Sequence, residues 1–217
     1  MSNPKAVVLD LATISQNDID LSPLEQFPLE WGHHQTTRPE ETAGRVAGAE
    51  LAVSNQVVRD RETLQQSPDL KLICIAATGT NNVDLEAAAE LGIRVCNVAG
   101  YSTPSVVQQV FAMILSLTTR QAEYARAIRE GQWQQSELIC MLDFPFRELS
   151  GKRLGIVGYG GLGRAVAGVA EAFGMQVLLS QRPGGPAREG RVPLDQLLPQ
   201  VDRLSGHWRL TAETSNR

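Results

Sequence analysis

Cysteine and histidine are scarce in this chain, with three of each in 217 residues. Cys74, Cys96 and Cys140 are odd in number, and no two form a C-x-x-C pair. That excludes a disulfide scaffold and offers no metal-ligand spacing. Cys74 and Cys96 fall in apolar, strand-like runs and read as buried thiols. A basic excess is also missing: the net charge is −4 and the pI about 5.5. A protein that grips phosphate backbones is usually basic, so no nucleic-acid partner is expected. Long apolar runs are absent as well. The longest, Val106 to Leu117, is broken by Gln108 and Gln109, short of the roughly 18 residues a membrane span needs. No membrane partner is expected. The opening MSNPKAVVLDLA reaches Asp10 too early for a signal-peptide core, which points to the cytoplasm.

What is present is ordinary for a folded domain: 42% hydrophobic and 20% charged residues. At about 150 residues per domain the length suits one large domain or two small ones. Charge is unevenly spread. Residues 1–97 carry seven Lys and Arg against fourteen Asp and Glu, whereas residues 98–217 carry thirteen against ten. The mildly basic second half would favour an anionic ligand, although three net charges are a weak signal.

Strand-like runs alternate with helical ones. Lys5–Asp10, Ala49–Val53, Leu70–Ala77 and Ile93–Val98 read as strands, the third apolar enough to be buried on both faces. Residues 11–45, with Pro23, Pro28 and Pro39, read as loops. Asp84 is placed to cap a helix over Leu85–Leu91, and Gly92 to end it. Thr103 and Pro104 suit the start of a long helix running to Arg120 and on to Arg129. Lys152–Gly158, Gln176–Ser180 and Arg203–His207 are further strands, with a helix over Gly161–Phe173 and a short one over Leu194–Pro199. Alternation of this kind predicts an α/β fold with parallel sheets.

The sharpest local signal is Gly158-Tyr-Gly160-Gly-Leu-Gly163, which matches G-x-G-x-x-G. The pattern alone is weak. Here an apolar strand precedes it, a helix opens from it and a second strand follows, the context of a dinucleotide site. Gly158 would make the tight turn. Gly160 would admit a pyrophosphate to the backbone. Gly163 would let the helix pack on the strand. The third part of the fingerprint differs, because the second strand ends Leu179-Ser-Gln-Arg182 with no acid for a ribose hydroxyl. Gln181 cannot supply that charge. Arg182 either faces a 2′-phosphate, making NADP(H) at least as good a cofactor as NAD(H), or is a solvated loop residue.

Four ordered stretches carry a wider likeness: Ala77-Thr-Gly-Thr-Asn-Asn-Val-Asp84, Val95-Cys-Asn-Val-Ala-Gly-Tyr-Ser-Thr103, Gly151-Lys-Arg-Leu-Gly-Ile-Val-Gly-Tyr-Gly-Gly-Leu-Gly163 and Ala172-Phe-Gly-Met175. On these the chain resembles the D-isomer-specific 2-hydroxyacid dehydrogenases, nearest their glycerate dehydrogenase and hydroxypyruvate reductase branch. The likeness runs over residues 5–202. It implies a flavodoxin-like substrate domain over residues 1–98. It implies a Rossmann nucleotide domain over 99–217, with only the N-terminal part of its doubly wound sheet. It also implies an active site in the cleft between them and hydride transfer between NAD or NADP and a small 2-keto or 2-hydroxy acid. By the same likeness Thr78 and Gly79 meet the substrate carboxylate, Thr78 also touching the cofactor. Thr103, Gly161, Leu162 and Gln181 fall at cofactor-side positions and His207 is structural; Trp208 is also placed on the cofactor side, although it and Arg209 replace the residues that follow that His in the family. A homodimer is implied, for which Trp133, Phe144 and Phe146 in residues 104–150 are candidate anchors; core packing explains them equally well.

The family's substrate-binding Arg, its proton-carrying His and the acid orienting that His all fall beyond the position matching residue 217. No catalytic residue is therefore assigned, and the chain is expected to be inactive alone and to look truncated. His33 and His34 lie in a polar stretch with no acid at a telling spacing. After Val201, Arg203 and Gly206 stand where the family has apolar strand residues. The competing reading is a non-catalytic dinucleotide-binding or interaction module of the same fold.

Overall fold

Short strands alternating with helices build two parallel sheets, as seen in a computed structural model that describes residues 3–182 and 185–208. The chain divides into two compact units, Met1–Tyr101 and Ser102–Arg217.

In the first unit the elements run β1 (Lys5–Val8), β2 (Glu30–His33), α1 (Pro39–Val46), β3 (Ala49–Ser54), α2 (Arg61–Gln65), β4 (Leu72–Ile75), α3 (Leu85–Glu90) and β5 (Arg94–Asn97). The strands are all parallel, in the order β2-β1-β3-β4-β5. This is the flavodoxin-like order, with strand order reversing at β1 and β3. Val7, Ala52, Ile73 and Ile75 from the strands, and Leu9 just after β1, pack with Val46, Leu64 and Ala87 from the helices. Asp84 caps α3, its carboxylate accepting the Ala87 N–H at 2.9 Å.

Three expectations are corrected here. Residues 11–45 are not all loop, since they include β2 and most of α1. β2 reads Glu-Trp-Gly-His and lies at the sheet edge, half exposed, so it shows no apolar run. Pro39 begins α1 at the position where a missing N–H costs nothing. β4 is not buried on both faces: Ile73 and Ile75 are buried, Leu72 and Cys74 only half. Cys96 is exposed rather than buried. It alternates with Val95, which faces the core.

The start of α1 yields a pH prediction. The Glu41 carboxylate accepts the Arg38 N–H at 2.9 Å, and this bond first, then the Arg38 side chain, holds its pKa down to about 2. A depressed acid stabilises the fold above its ordinary pKa, and the benefit fades as pH falls towards the depressed value. Glu41→Gln should therefore lower the melting temperature at pH 7, and the gap to the parent should close between pH 4.5 and pH 2. Thermal melts of both chains across that range are the check; a gap independent of pH would refute it.

The second unit runs α4 (Thr103–Thr119), α5 (Gln121–Arg129), α6 (Gln132–Gln135), β6 (Arg153–Val157), α7 (Gly161–Ala172), β7 (Gln176–Ser180), β8 (Arg191–Val192), α8 (Leu194–Leu197) and β9 (Arg203–Gly206). Its strands are parallel in the order β8-β7-β6-β9. That is the 3-2-1-4 beginning of the doubly wound order. Leu154, Ile156, Val166, Ala170 and Met175 form its core with Phe111 of α4. The Phe111 and Phe173 rings stack 5.4 Å apart.

The long helix is not continuous. Arg120 adopts φ +56°, ends α4 and starts α5 in a new direction, its Nε donating to Glu123 at 2.6 Å. Thr103 is the first helical residue rather than the cap; Ser102 holds that position and makes no side-chain capping bond. Arg203, a charge where an apolar strand residue was expected, escapes burial because β9 is a sheet edge. Its Nη1 donates to the Asp202 carbonyl at 2.8 Å and its Nη2 to Thr118 Oγ1 at 3.4 Å. Among the described residues no helix is long and apolar enough to cross a membrane.

Candidate functional site

The residues singled out in the sequence fall into two groups, Thr78 and Gly79 in the first unit and the rest in the second.

Thr78 and Gly79 lie in the exposed turn after β4. The turn is pinned from outside. Asn97 Nδ2 donates to the Thr78 carbonyl at 2.8 Å, and Thr78 Oγ1 donates to the Val98 carbonyl at 2.8 Å. Asn82 Nδ2 ties the far end to the carbonyls of Asn55 and Val57 at 3.2 and 3.3 Å. The N–H groups of Thr78, Gly79 and Thr80 make no hydrogen bond among the described residues. Consecutive unpaired N–H groups in an exposed turn form a concavity for an anion, and a small carboxylate suits it in charge and size.

In the second unit the glycine turn joins β6 to α7. Gly158 has φ +93°, and a Cβ on it would stand 2.5 Å from the His207 carbonyl group and 2.8 Å from the Trp208 nitrogen. The turn therefore closes directly against the end of β9, to which it is tied by the His207 N–H donating to the Val157 carbonyl at 2.7 Å. A Cβ on Gly163 would overlap the Gly158 carbonyl, so the helix lies against the turn at a distance only glycine allows. Gly160 and Gly161 are open: among the described residues nothing lies within 4 Å of where their side chains would be. Leu162, half-buried, completes the first turn of α7. The first N–H groups of α7 lack intrahelical acceptors and carry the positive end of the helix dipole. An open, side-chain-free backbone leading into a helix N-terminus fits a pyrophosphate. The carboxyl ends of β6 and β9, where strand order reverses, are where such sheets bind ligands.

Gln181 and Arg182 follow β7. Gln181 is engaged in its own loop, its Nε2 donating to the Gly185 carbonyl at 3.2 Å and its N–H to the Val192 carbonyl at 2.8 Å. Arg182 is exposed, and no acid lies within ion-pair distance among the described residues. Trp208, half-exposed, folds its ring over Gly206 at the end of β9. His207 is half-buried. Burial lowers its pKa, and its Nε2 lies 2.9 Å from Ser205 Oγ. Thr103 sits half-buried at the start of α4.

One cluster escaped the sequence reading. The guanidinium carbons of Arg164, in the first turn of α7, and Arg191, on β8, each lie 5.8 Å from the centre of the Tyr159 ring. Neither pairs with an acid among the described residues. The position of Arg164 one residue past the glycine motif was a local signal. Arg191 had none, because β8 is two residues long and its approach to Tyr159 depends on sheet order.

Residues 111–217 match the family described as D-isomer specific 2-hydroxyacid dehydrogenase, NAD binding domain. A glycerate dehydrogenase of Methylorubrum extorquens is 41% identical over 192 residues, 88% of this chain and 60% of that protein. A hydroxypyruvate reductase of Blautia hydrogenotrophica is 34% identical over 216 residues, 97% of this chain and 67% of that protein. The crystal structure of a D-lactate dehydrogenase from Aquifex aeolicus, complexed with NAD and lactic acid, superposes with a TM-score of 0.77 at 28% identity. It covers 97% of this chain and 62% of that one. The chain thus spans about two thirds or less of the relatives it matches.

Proposed function

This chain belongs to the D-isomer-specific 2-hydroxyacid dehydrogenase family, and from that premise we propose that it serves hydride transfer between a nicotinamide dinucleotide and C2 of a small 2-keto or 2-hydroxy acid. Hydroxypyruvate, glyoxylate and D-glycerate are the substrate class, after the named activities of the relatives. The observation that carries the reading is the glycine turn, closed by Gly158 and Gly163 and open at Gly160 and Gly161.

A bound dinucleotide supplies the hydride. Residues 99–217 are its domain: Gly158 to Gly163 hold the pyrophosphate, and Thr103 and Trp208 line the cofactor side. Residues 1–98 are the substrate domain, in which the N–H groups around Thr78 and Gly79 hold the substrate carboxylate, with Thr78 also on the cofactor side. We favour NADP(H) over NAD(H). No acid stands at the end of β7 to take a ribose hydroxyl, and Arg182 is free to meet a 2′-phosphate there, with the unpaired Arg164 and Arg191 adding positive charge at the same sheet end. Gln181 acts by shaping that loop.

A hydride arriving at C2 must be matched by a proton at its oxygen. None of the three histidines has a carboxylate within ion-pair distance among the described residues. His207 is taken by Ser205. The chain alone therefore binds cofactor without turning it over. Pairing of two copies is part of the proposal: Leu138, Ile139 and Leu142 are 62, 96 and 70% exposed in one short segment, with Phe146 beside them. Phe144, by contrast, packs edge-on against Tyr124 within its own unit.

The test is titration with NADPH and with NADH, followed by tryptophan fluorescence on a sample of known mass by light scattering. Hydroxypyruvate or glyoxylate is then added while absorbance of the reduced cofactor is recorded. The expected result is a dimer that binds NADPH at least about tenfold tighter than NADH, a difference of about 1.4 kcal/mol, with no oxidation. Tighter NADH would refute the assignment of Arg182, and oxidation would refute inactivity and send attention to His207. Absence of binding by either cofactor would refute the reading as a whole.

A further inference from the structure

Two of the three cysteines, separated by 21 residues in sequence, are exact neighbours in the first sheet. In the parallel pairing of β4 with β5, Cys74 stands opposite Cys96. Paired residues on adjacent strands project to the same face, here the face turned away from Ile73, Ile75 and Val95, which belong to the core. Neighbouring strands lie about 4.8 Å apart, inside the roughly 4.4–6.8 Å between Cα atoms that a disulfide tolerates, and the bond forms when the two Cβ atoms draw together to about 3.5–4.5 Å. β5 is the sheet edge and Cys96 is exposed, whereas Cys74 is half-buried. The two thiols thus differ in access while sharing a register.

We propose that Cys74 and Cys96 form a reversible dithiol–disulfide site that is oxidised by hydroperoxides. The exposed sulfur reacts first. The Cys96 thiolate attacks one peroxide oxygen; an S–O bond forms, the O–O bond breaks, and the leaving oxygen departs with the thiol's proton as water or an alcohol. The sulfur, oxidised by two electrons, is then a sulfenic acid, and the peroxide has been reduced. Cys74 attacks that sulfur; the S–S bond forms, the S–O bond breaks, and the hydroxyl leaves with the Cys74 proton as water. Burial, and next the neighbouring Cys96, push the Cys74 thiol above its ordinary pKa. A half-buried thiol held protonated leaves the exposed Cys96 as the sulfur that meets the peroxide first. The bond would join β4, which leads into the Thr78 turn, to β5, whose Asn97, next to Cys96, holds the Thr78 carbonyl.

The experiment uses the whole chain. It is exposed to hydrogen peroxide, blocked with N-ethylmaleimide under denaturing conditions and digested with trypsin. Cleavage after Lys71, Arg94 and Arg120 places Cys74 on peptide 72–94 and Cys96 on peptide 95–120. The expected product is these two peptides linked, two hydrogens lighter than their sum, and separated again by dithiothreitol. Cys96→Ser, at an exposed position, should abolish the link and leave Cys74 reduced. Cys140→Ser should leave the link intact. Recovery of Cys96 as sulfinic or sulfonic acid with Cys74 still reduced would overturn the proposal. So would oxidation of Cys140 while both strand cysteines stay unreacted.

Discussion

Gly163→Ala is expected to weaken NADPH binding by at least about a hundredfold, whereas Gly168→Ala on the same helix should leave binding unchanged and stabilise the chain by about 1 kcal/mol. The two substitutions add the same methyl group to α7. At Gly168 nothing among the described residues lies within 4 Å of the new atom, and alanine simply replaces the least favourable ordinary helix former. At Gly163 the methyl would overlap the Gly158 carbonyl. That oxygen belongs to a backbone already fixed by φ +93° and by the close approach of His207, so the helix must move instead. Overpacking of this kind costs about 1–3 kcal/mol. The displacement falls on the N–H groups proposed to hold the pyrophosphate, where about 2.8 kcal/mol is a hundredfold. Titration and thermal melts of both variants are the check. Equal NADPH affinity in Gly163→Ala and the parent would show that the cofactor does not use this turn.

The contrast between these glycines also shows what the sequence made legible. G-x-G-x-x-G within strand, turn and helix specifies backbone shape over six consecutive residues, so the local chain carries nearly all the information. The Asp84 cap and the limits of β7 were readable for the same reason. What escaped depends on partners far along the chain or on position in a sheet. β2 is an edge strand with a single large apolar residue, Trp31. Pro39 is equally common in loops and at helix starts, and only the Glu41 contact with Arg38 decides between them. The bend at Arg120 asks a non-glycine residue to adopt a left-handed conformation, which no residue type announces. Cys96 read as buried because its neighbours are apolar, but among the described residues β5 has no strand beyond it. The approach of Arg191 to Tyr159 needs β8 beside β7, a placement set by the whole sheet.

Arg59→Met should stabilise the first unit, raising its melting temperature by about 10 °C at neutral pH for a gain of about 2 kcal/mol. Arg59 follows two valines, and its backbone is held firmly. Its N–H donates to the Asn82 carbonyl at 2.8 Å, and its carbonyl accepts the Asp84 N–H at 3.0 Å. The side chain is driven inward with 0% exposure, and none of its three guanidinium nitrogens has a hydrogen-bond partner among the described residues. Burial draws its pKa down to about 10, against the opposing pull of Asp10. Because the folded pKa lies below the ordinary value, the charged form is disfavoured by folding. The penalty is full at neutral pH and fades only as pH rises past 10. A drop of that size is worth on the order of 3 kcal/mol. Asp10 does not need Arg59 as a partner, since its carboxylate accepts the Asn55 N–H at 2.9 Å and the Gln56 N–H at 2.7 Å. Methionine keeps most of the length, buries without charge and adapts to irregular space. Thermal unfolding of the whole chain at pH 7 and above pH 10 is the measurement, with the gap between variant and parent narrowing at the higher pH. A lower melting temperature for Arg59→Met at pH 7 would mean that attraction between Arg59 and Asp10 across the interior outweighs the cost of burying the guanidinium.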